Sequence, residues 1–177
     1  MIAAMTGARL DDAVRPFDEV YRDHADAVYR FCLSQLRDPD VAEDVTGDVF
    51  AAAFAAYGRV RPDAVGVRTW LFRIARNAVI DQYRRDGRRR SLLARLGRDR
   101  EFPDSVEENV QQRFDLASIC TAMETLRERD RQLVGLRVAG GLTFAEVGQV
   151  LGMRESAAKM ATHRALERVR SRLREMA

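Results

Sequence analysis

The sequence predicts an all-α protein of two small helical domains joined by a linker, with a helix-turn-helix in the C-terminal domain. Apolar residues recur at three- and four-residue spacing over long stretches, which is the period of an α-helix. Runs of alternating apolar and polar residues, which would predict strands, are not found. Residues 98–108 carry both charges and a proline, and they divide the helical pattern into two halves. We therefore assign 1–14 to a leader, 15–90 to the first domain, 91–112 to the linker and 113–177 to the second domain.

The first half of the chain is predicted to begin with two amphipathic helices. Helical spacing of apolar residues begins at Phe17 and stops near Asp38-Pro39. A second helix runs from about Asp40 to Tyr57, and it carries acidic residues outside its apolar stripe. The segment from Gly58 to Gly66 is a loop that leads into the next helix.

The stretch from Arg68 to Arg90 is predicted to be a helix with two different stripes. Its apolar stripe comprises Leu71, Ile74, Ala75 and Ala78. Its second stripe mixes an aromatic ring, an amide and charged groups: Trp70, Arg73, Asn77, Asp81 and Arg84. Rings that stack on bases, amides that bond base edges and guanidinium groups that bind phosphate are the groups that nucleic-acid binding uses. We favour nucleic-acid binding over the alternative, an ordinary helix with one solvated polar face.

The second half is predicted to end in two helices separated by a tight turn. A helical block begins near Val110 and is followed by a helix from Arg129 to Val138, after which two glycines break the chain. Thr143 to Glu146 has the form of a capping box that opens a short helix. A glycine turn follows, and a last helix runs from about Glu155 to Glu175.

The last helix has a basic outward face. On a helical wheel this face holds Ser156, Lys159, Met160, His163 and Arg170, with Arg164 at its flank. A short capped helix, a turn and a longer basic helix form the helix-turn-helix layout, whose second helix enters a major groove. Side chains near the start of that helix reach base edges, and later cations meet phosphate. An ordinary αα-hairpin is the alternative, but the basic face and the capping box favour DNA binding.

Charge is segregated along the chain, although the formal net charge is only +3. The region from Asp11 to Asp48 is acidic, whereas Arg84 to Arg100 and the tail from Arg154 are basic. An acidic front with two basic patches suggests one surface for a protein partner and two for a polyanion. The alternative is that these charges only solvate helix faces. Solvation explains the number of charges better than it explains their segregation along the chain.

The residues give no catalytic or metal-binding arrangement, so we predict a non-enzyme without cofactors. There is no glycine-rich phosphate loop, and His24 and His163 have no Cys or His neighbour at ligand spacing. Cys32 and Cys120 lie far apart in apolar patterns, which predicts buried free thiols. The N-terminal residues do not form a secretory signal, and no apolar stretch approaches the roughly 20 residues that span a bilayer. We expect a cytoplasmic protein without membrane insertion.

Two segments resemble the extracytoplasmic-function (ECF) sigma factors of bacterial RNA polymerase. Ala42-Glu43-Asp44-Val45 through Phe50, followed by WLFRIARNAVIDQYRR at Trp70 to Arg85, resembles their second conserved region. Leu126 to Leu173 resembles their fourth region. The two segments cover nearly the whole chain in the family's order, with a linker between them. Response-regulator output domains share only the helix-turn-helix, so the first segment is the more specific match.

The resemblance implies a promoter-specificity subunit that binds core RNA polymerase, recognises the −10 and −35 promoter elements and initiates transcription of a specific regulon. It implies contacts with the β′ clamp helices and the β flap of the polymerase, and an anti-sigma factor as a further partner. The polymerase-binding residues would be Asp40, Glu43, Asp44, Asp48 and Phe50.

The resemblance also implies two sets of DNA-binding residues. The −10 element would be bound by Arg61, Trp70, Arg73, Asn77, Arg84, Arg85 and Arg88. The loop from Gly58 to Val67, with Asn77, would hold a base flipped out of the non-template strand. The −35 element would be bound by Arg154, Ser156, Lys159, Met160, His163 and Arg164. The linker would thread toward the active-site cleft of the polymerase.

Three positions depart from the family's pattern. Gly47-Asp48 stands where the family usually carries a glutamine-glutamate pair. A helix-interior glycine costs about 1 kcal/mol relative to alanine, so Gly47 is unusual unless something packs closely there. Arg154 replaces the usual serine cap of the recognition helix, at a cost of about 1 kcal/mol. Ala157-Ala158 replace the usual Thr-Val pair, so the family's −35 sequence preference is not carried over.

Two other functions compete with this interpretation. A stand-alone helix-turn-helix regulator would bind duplex DNA without polymerase, but it leaves the match from Trp70 to Arg85 unexplained. A protein-binding helical adaptor or antagonist would leave both basic patches unused. Dependence on core polymerase separates the first function from the second, and loss of DNA binding at high salt separates both from the third.

Overall fold

The computed structural model describes residues 15–60, 66–95, 122–123 and 125–176. Within these ranges the chain is helical and contains no strand, which confirms the all-α prediction. The helices are α1 (Phe17–Leu36), α2 (Pro39–Val60), α3 (Gly66–Arg95), α4 (Glu128–Val134), α5 (Phe144–Leu151) and α6 (Glu155–Met176). The predicted leader, most of the predicted linker, Arg61, Cys120 and most of the helical block near Val110 lie outside the described residues.

A short corner joins α1 to α2. Helix α1 ends at Arg37, which adopts a left-handed conformation (φ 62°) and donates its backbone N–H to the carbonyl of Leu33 at 2.8 Å. The carboxylate of Asp38 then accepts hydrogen bonds from the backbone N–H groups of Asp40 and Val41, at 3.0 and 3.1 Å. Asp38 therefore caps α2, with Pro39 at the first helical position, where its missing N–H costs nothing.

Helix α3 is longer than its sequence pattern predicts. The pattern weakens after Arg90, where a short further helix from Ser91 to Leu96 was the open alternative, and in the structure one helix is continuous from Gly66 to Arg95. Gly87 lies inside it, and a Cβ there would meet nothing within 4 Å. A solvated interior glycine weakens a helix by about 1 kcal/mol without removing a hydrogen bond, so it does not end α3. Similarly, α2 continues to Val60, beyond the predicted end at Tyr57.

The N-terminal helices form a three-helix unit around aliphatic and aromatic side chains. The rings of Phe31 on α1 and Phe72 on α3 meet edge to face, with centroids 5.7 Å apart, and both side chains are fully buried. Val45, Val49 and Ala53 close the core from α2. This unit fixes the orientation of the exposed faces of α2 and α3.

The C-terminal helices carry the predicted capping box and turn. The N–H of Glu146 donates to Thr143 Oγ1 at 3.2 Å, and the N–H of Thr143 donates to Glu146 Oε2 at 2.7 Å, so both halves of the box are made. Gly152 ends α5 in a left-handed conformation (φ 66°). A Cβ at Gly148 would lie 2.7 Å from the carbonyl oxygen of Met153, so the tight approach of the turn to α5 requires glycine. The prediction of a capped helix, a glycine turn and a long helix is confirmed.

The two halves of the chain pack on each other. Helix α4 continues into a π-helical turn at Gly135–Ala139, which lies against α1. One buried cluster includes side chains from both halves, among them Phe31, Leu71 and Phe72 from the first and Leu133, Leu136, Leu142 and Val147 from the second. We call this contact the interdomain seam. A smaller cluster inside the C-terminal half holds Ala122, Met123, Leu126, Val134, Ala165 and Val169.

Candidate polymerase and nucleic-acid interfaces

The four acidic residues assigned to polymerase binding share the solvent-exposed face of α2. Asp40, Glu43, Asp44 and Asp48 are all exposed. Gly47, beside them, is also exposed, and a Cβ there would meet nothing within 4 Å. No described part of the chain packs closely at Gly47, so packing within the described structure does not account for this glycine.

An aromatic cluster adjoins the acidic face. Phe50 is only 5% exposed, and its ring packs against Phe17 and Tyr21 with centroids 6.4 and 4.8 Å away. Phe50 therefore lies beneath the acidic surface and does not itself reach solvent. The ring that reaches solvent is Phe54, which is 67% exposed and meets Phe17 at 5.2 Å. From the sequence, Phe54 would belong to the apolar stripe of the second helix, because it follows Phe50 at helical spacing, but in the structure it is exposed.

The residues assigned to the −10 element lie along α3 in different environments. Trp70 is half-buried against Tyr57, with ring centroids 6.1 Å apart. Asn77, Arg85 and Arg88 are exposed, and Arg84 is exposed beside Asp81 at 3.3 Å. Arg61 lies outside the described residues. The cations are therefore concentrated toward the C-terminal part of α3, while Trp70 lies at its beginning.

Arg73 is the member of this set that already has a protein partner. Its Nε and Nη2 atoms both donate to the backbone carbonyl of Gln149 on α5, at 3.2 and 2.9 Å. Two neighbouring arginines of α3 behave similarly. Arg68 donates to the carbonyls of Gly140 and Gly141 at 2.8 and 2.9 Å, and Arg76 donates to Gln132 Oε1 at 2.9 Å. Sequence reasoning missed Arg68 and Arg76 as contact residues, since nothing local distinguishes them from solvated arginines.

The residues assigned to the −35 element form one exposed surface at the start of α6. Arg154, Ser156, Lys159, Met160, His163 and Arg164 are all exposed. Met160 exposes 59% of its surface, so an apolar group able to contact a thymine methyl lies beside the ammonium of Lys159. Ala158, Ala165 and Val169 are buried on the opposite side of α6. This face has the polar and cationic groups that reading a major groove requires.

The ring of His163 is held by a stack of side chains from the C-terminal half. It packs against Phe144 at the start of α5, with centroids 5.6 Å apart. The guanidinium of Arg137 lies over the ring of Phe144, 4.9 Å from its centroid, and also donates to the carbonyl of Leu142 at 3.0 Å. His163 therefore has a restricted orientation on an exposed surface.

Two titratable groups are perturbed by burial. Burial, and then the positive charge of Arg68, lower the pKa of His24 from its usual value of 6.5. The Nε2 atom of His24 is buried without a hydrogen-bond partner. Burial raises the pKa of the Cys32 thiol to about 11, so that free cysteine stays protonated at neutral pH. Its burial agrees with the sequence prediction for Cys32.

The described residues contain no group of three or more His, Cys, Asp or Glu side chains that could hold a metal ion. None of the described helices combines the length and the apolar character needed to cross a bilayer.

Comparison with known proteins identifies two matching family models. Residues 20–89 match "Sigma-70 region 2", and residues 122–171 match "Sigma-70, region 4". The first match covers all of α2 and most of α1 and α3. The second covers the helix-turn-helix together with α4.

The individual proteins that resemble this chain are also sigma factors. The ECF RNA polymerase sigma factor ShbA of Streptomyces griseus is 35% identical over 80% of this chain and 79% of its own length. The ECF RNA polymerase sigma factor BldN of Streptomyces coelicolor is 30% identical over 85% of this chain, which spans only 57% of BldN. Among solved structures, the sigma factor RpoE of Bartonella quintana, in complex with the anti-sigma factor NepR, has a TM-score of 0.72 and 25% identity. That alignment covers 89% of this chain and 96% of RpoE.

Proposed function

Because the chain belongs to the ECF sigma factors of bacterial RNA polymerase, we propose that it is a promoter-specificity subunit without enzymatic activity of its own. It binds core polymerase, recognises a −10 and a −35 element, and starts transcription of a specific regulon in the cytoplasm. The observation that carries this proposal is the presence, in one chain, of an exposed cationic helix in region 2 and an exposed helix-turn-helix face in region 4.

The polymerase contact is proposed on the exposed acidic face of α2. Asp40, Glu43, Asp44 and Asp48 offer carboxylates to cationic groups of the β′ clamp helices. Charged groups on a rim steer association and set its register more than its affinity. The exposed ring of Phe54 supplies apolar area beside them, which is the component that carries affinity in most interfaces. The second domain contacts the β flap.

The −10 element is bound along α3, where Arg84, Arg85 and Arg88 contact phosphate and Asn77 bonds a flipped base. Extruding a base costs a few kcal/mol, which the polymerase and phosphate contacts together offset. The −35 element lies against the start of α6, where Lys159 and Met160 reach base edges and Arg164 reaches phosphate. Promoter DNA is thus bound at two places by one chain.

An anti-sigma factor is proposed as a second protein partner. The support is the likeness to RpoE of Bartonella quintana, whose structure is of a complex with the anti-sigma factor NepR. Such a partner would bind the faces that polymerase and DNA use, because these are the exposed functional surfaces of both domains.

Transcription from a genomic-library template tests the function directly. Bacterial core polymerase is supplied with or without this chain, and the start sites of the transcripts are mapped. New starts that share two spaced upstream motifs are expected. The absence of new starts, together with duplex binding by the chain alone, would instead identify a stand-alone regulator.

Asn77→Ala tests the flipped-base role within the same assay. The substitution removes an exposed amide and no buried contact, so the fold should be preserved. Promoter opening, followed by permanganate reactivity of unpaired thymines, should fall about tenfold, the equivalent of one lost hydrogen bond of about 1.4 kcal/mol. Initial duplex binding should change far less. Equal losses in both measurements would contradict the role of Asn77 in base capture.

A further inference from the structure

We propose that Arg137 and Phe144, which precede the recognition helix in the chain, are positioning residues that act through His163 to set the base preference at one position of the −35 element. His163 meets the base, and the other two residues hold its ring in place. This inference rests on the proposed function and deepens it, because it assigns one specificity determinant together with the side chains that support it.

The supporting contacts join three elements of the C-terminal half. Arg137 lies in the π-helical turn at Gly135–Ala139, Phe144 is the first residue of α5, and His163 lies on α6. The guanidinium carbon of Arg137 is 4.9 Å from the centroid of the Phe144 ring, and the His163 ring is 5.6 Å from the same centroid. Cations over a ring face and pairs of rings at this separation attract each other. Phe144 therefore contacts a side chain from each of the other two elements.

The two supporting side chains are themselves held in place. Arg137 is partly buried and donates from Nη1 to the carbonyl oxygen of Leu142 at 3.0 Å. The backbone N–H of Leu142, whose side chain is fully buried, donates to the carbonyl of Leu136 at 3.0 Å. Phe144 is partly buried and lies within the capping box that fixes the start of α5. The support for His163 therefore consists of contacts that exist without DNA.

His163 belongs to the exposed face that is proposed to meet the −35 element. Lys159 and Met160 precede it by four and three residues, so the three exposed side chains are neighbours on the helix. Ala158 and Thr162 are fully buried on another side, which fixes the rotation of α6. Ordering a mobile side chain on binding costs conformational entropy. A ring that is already held in the free protein avoids part of this cost.

The chemistry of imidazole indicates which base His163 favours. An imidazole has at least one N–H donor in either charge state. The N7 atom of a purine is an acceptor in the major groove, and pyrimidines lack it. His163 therefore favours a purine at one position of the strand that it faces. A donor discriminates well only when its direction is fixed, and the contact with Phe144 supplies that direction.

NMR of the histidine rings tests the positioning in the full-length chain without DNA. The chain has two histidines, His24 and His163, so carbon-13 labelling of histidine gives two sets of ring signals. The ring current of Phe144 shifts the signals of His163. Phe144→Leu should move these signals toward their positions in the unfolded chain, whereas Phe144→Tyr should retain the shift. The signals of His24 should stay unchanged in both variants. His163 signals that do not move in Phe144→Leu would overturn the proposal.

Transcription by the holoenzyme tests the base preference. The template is a promoter found by mapping start sites, and each base pair of the upstream one of its two motifs is replaced in turn. With the unsubstituted chain, replacing one purine by a pyrimidine should lower transcription about tenfold, the effect of one lost base contact. His163→Ala should remove this preference. Arg137→Gln and Phe144→Leu should each reduce it to about threefold, and Phe144→Tyr should keep it.

A double-mutant cycle separates positioning from a general loosening of the domain. In a chain that already carries His163→Ala, neither Arg137→Gln nor Phe144→Leu should lower transcription from the original promoter any further. Preferences at the other positions of the motif should also stay unchanged in these variants. Arg127→Gln is the matched control, since it removes one positive charge from an exposed arginine of the same half, outside the contacts of Phe144. It should keep the preference of about tenfold.

The two proposals fail in distinguishable ways. If the unsubstituted chain directs no polymerase-dependent start, the proposed function fails and the base preference fails with it. If transcription starts at defined promoters but Arg137→Gln and Phe144→Leu keep the full preference, or weaken the preference at every position equally, only the present inference fails. A folding defect in a variant does not imitate the expected result, because loss of active protein lowers transcription from all templates alike and leaves their ratio unchanged.

Discussion

Single arginines in this protein have roles that depend on the acceptor placed opposite them. Arg73 and Arg84 belong to the same predicted stripe of α3, yet Arg73 donates to a carbonyl of the other domain and Arg84 lies beside Asp81 in solvent. The helical period correctly placed both on a polar face. It could not reveal the partner of Arg73, because Gln149 is 76 residues away and contributes only its backbone. Every residue type has a backbone carbonyl, so the sequence does not indicate which carbonyl will accept a hydrogen bond.

Phe50 and Phe54 give a matched pair of predictions for polymerase binding. Phe54→Ala should reduce affinity for core polymerase about tenfold, because an exposed ring is lost from the interface, and should change stability by less than about 1 kcal/mol. Phe50→Ala should instead destabilise the fold by about 3–5 kcal/mol, since a buried ring leaves a cavity. Polymerase pull-down titrations and urea unfolding measure the two effects. Unchanged affinity in a stable Phe54→Ala protein would remove Phe54 from the contact.

The half-buried imidazole of His24 gives a prediction for pH dependence. Its pKa is lowered in the folded state, so the unfolded chain binds the proton more readily. The stability that the neutral ring contributes is therefore present above about pH 6.5 and is lost as the pH falls below it. Urea unfolding at pH 7.5 and pH 5.0 should show a smaller loss for His24→Gln than for the unsubstituted chain. Equal losses would mean that other groups account for the whole pH dependence.

At the scale of helices, local signals predicted starts better than ends. The capping box of Thr143 and Glu146 was recognisable because both halves of it lie within four residues, and the start of α1 at Phe17 was placed correctly. The end of α3 was missed because the apolar pattern weakens after Arg90, although the helix continues to Arg95. The π-helical turn after α4 was also unforeseen, since it depends on the packing of Gly135 against α1. Contacts with residues far away in the sequence decide where such helices end and where such turns form.

Two glycines in helices predict opposite effects of the same substitution. Gly47→Ala should stabilise the protein by about 1 kcal/mol, because an added Cβ meets nothing and the unfolded chain loses freedom. Gly148→Ala should destabilise it, because the added Cβ would lie 2.7 Å from the carbonyl oxygen of Met153. Thermal and urea unfolding of the two variants measure these changes. A destabilised Gly47→Ala protein would mean that something covers this part of α2 in solution.

Across the whole molecule, the sequence predicted the two domains and their order but not how they meet. The apolar residues Leu133, Leu136 and Leu142 look like core residues of their own domain, and each is indeed buried. All three side chains belong to a buried cluster that also includes Phe31 and Phe72. These two residues lie more than 60 residues earlier in the chain. Helical periodicity identifies which face is buried, without identifying the element that covers it. The interdomain seam therefore could not be predicted from helical periodicity.

The shared cluster predicts cooperative unfolding. Trp70 is the only tryptophan and lies in the first domain, so its fluorescence follows that domain, while far-UV circular dichroism follows all helices. In the unsubstituted chain the two signals should change at the same urea concentration, because one core includes both halves. In Gly135→Glu, whose added side chain would collide with Ser34 and Gln35 of the first domain, the two midpoints should separate. Separate midpoints in the unsubstituted chain would show that the seam contributes little to stability.

The carbonyl-lined contact of Arg68 and Arg73 also has a consequence for behaviour at low abundance. A complex between two proteins dissociates when its members become scarce, whereas a contact within one chain has an effective concentration fixed by the tether. Dilution to a few copies per cell would leave such a contact closed. The packing of the two halves would therefore be independent of the number of copies of this chain.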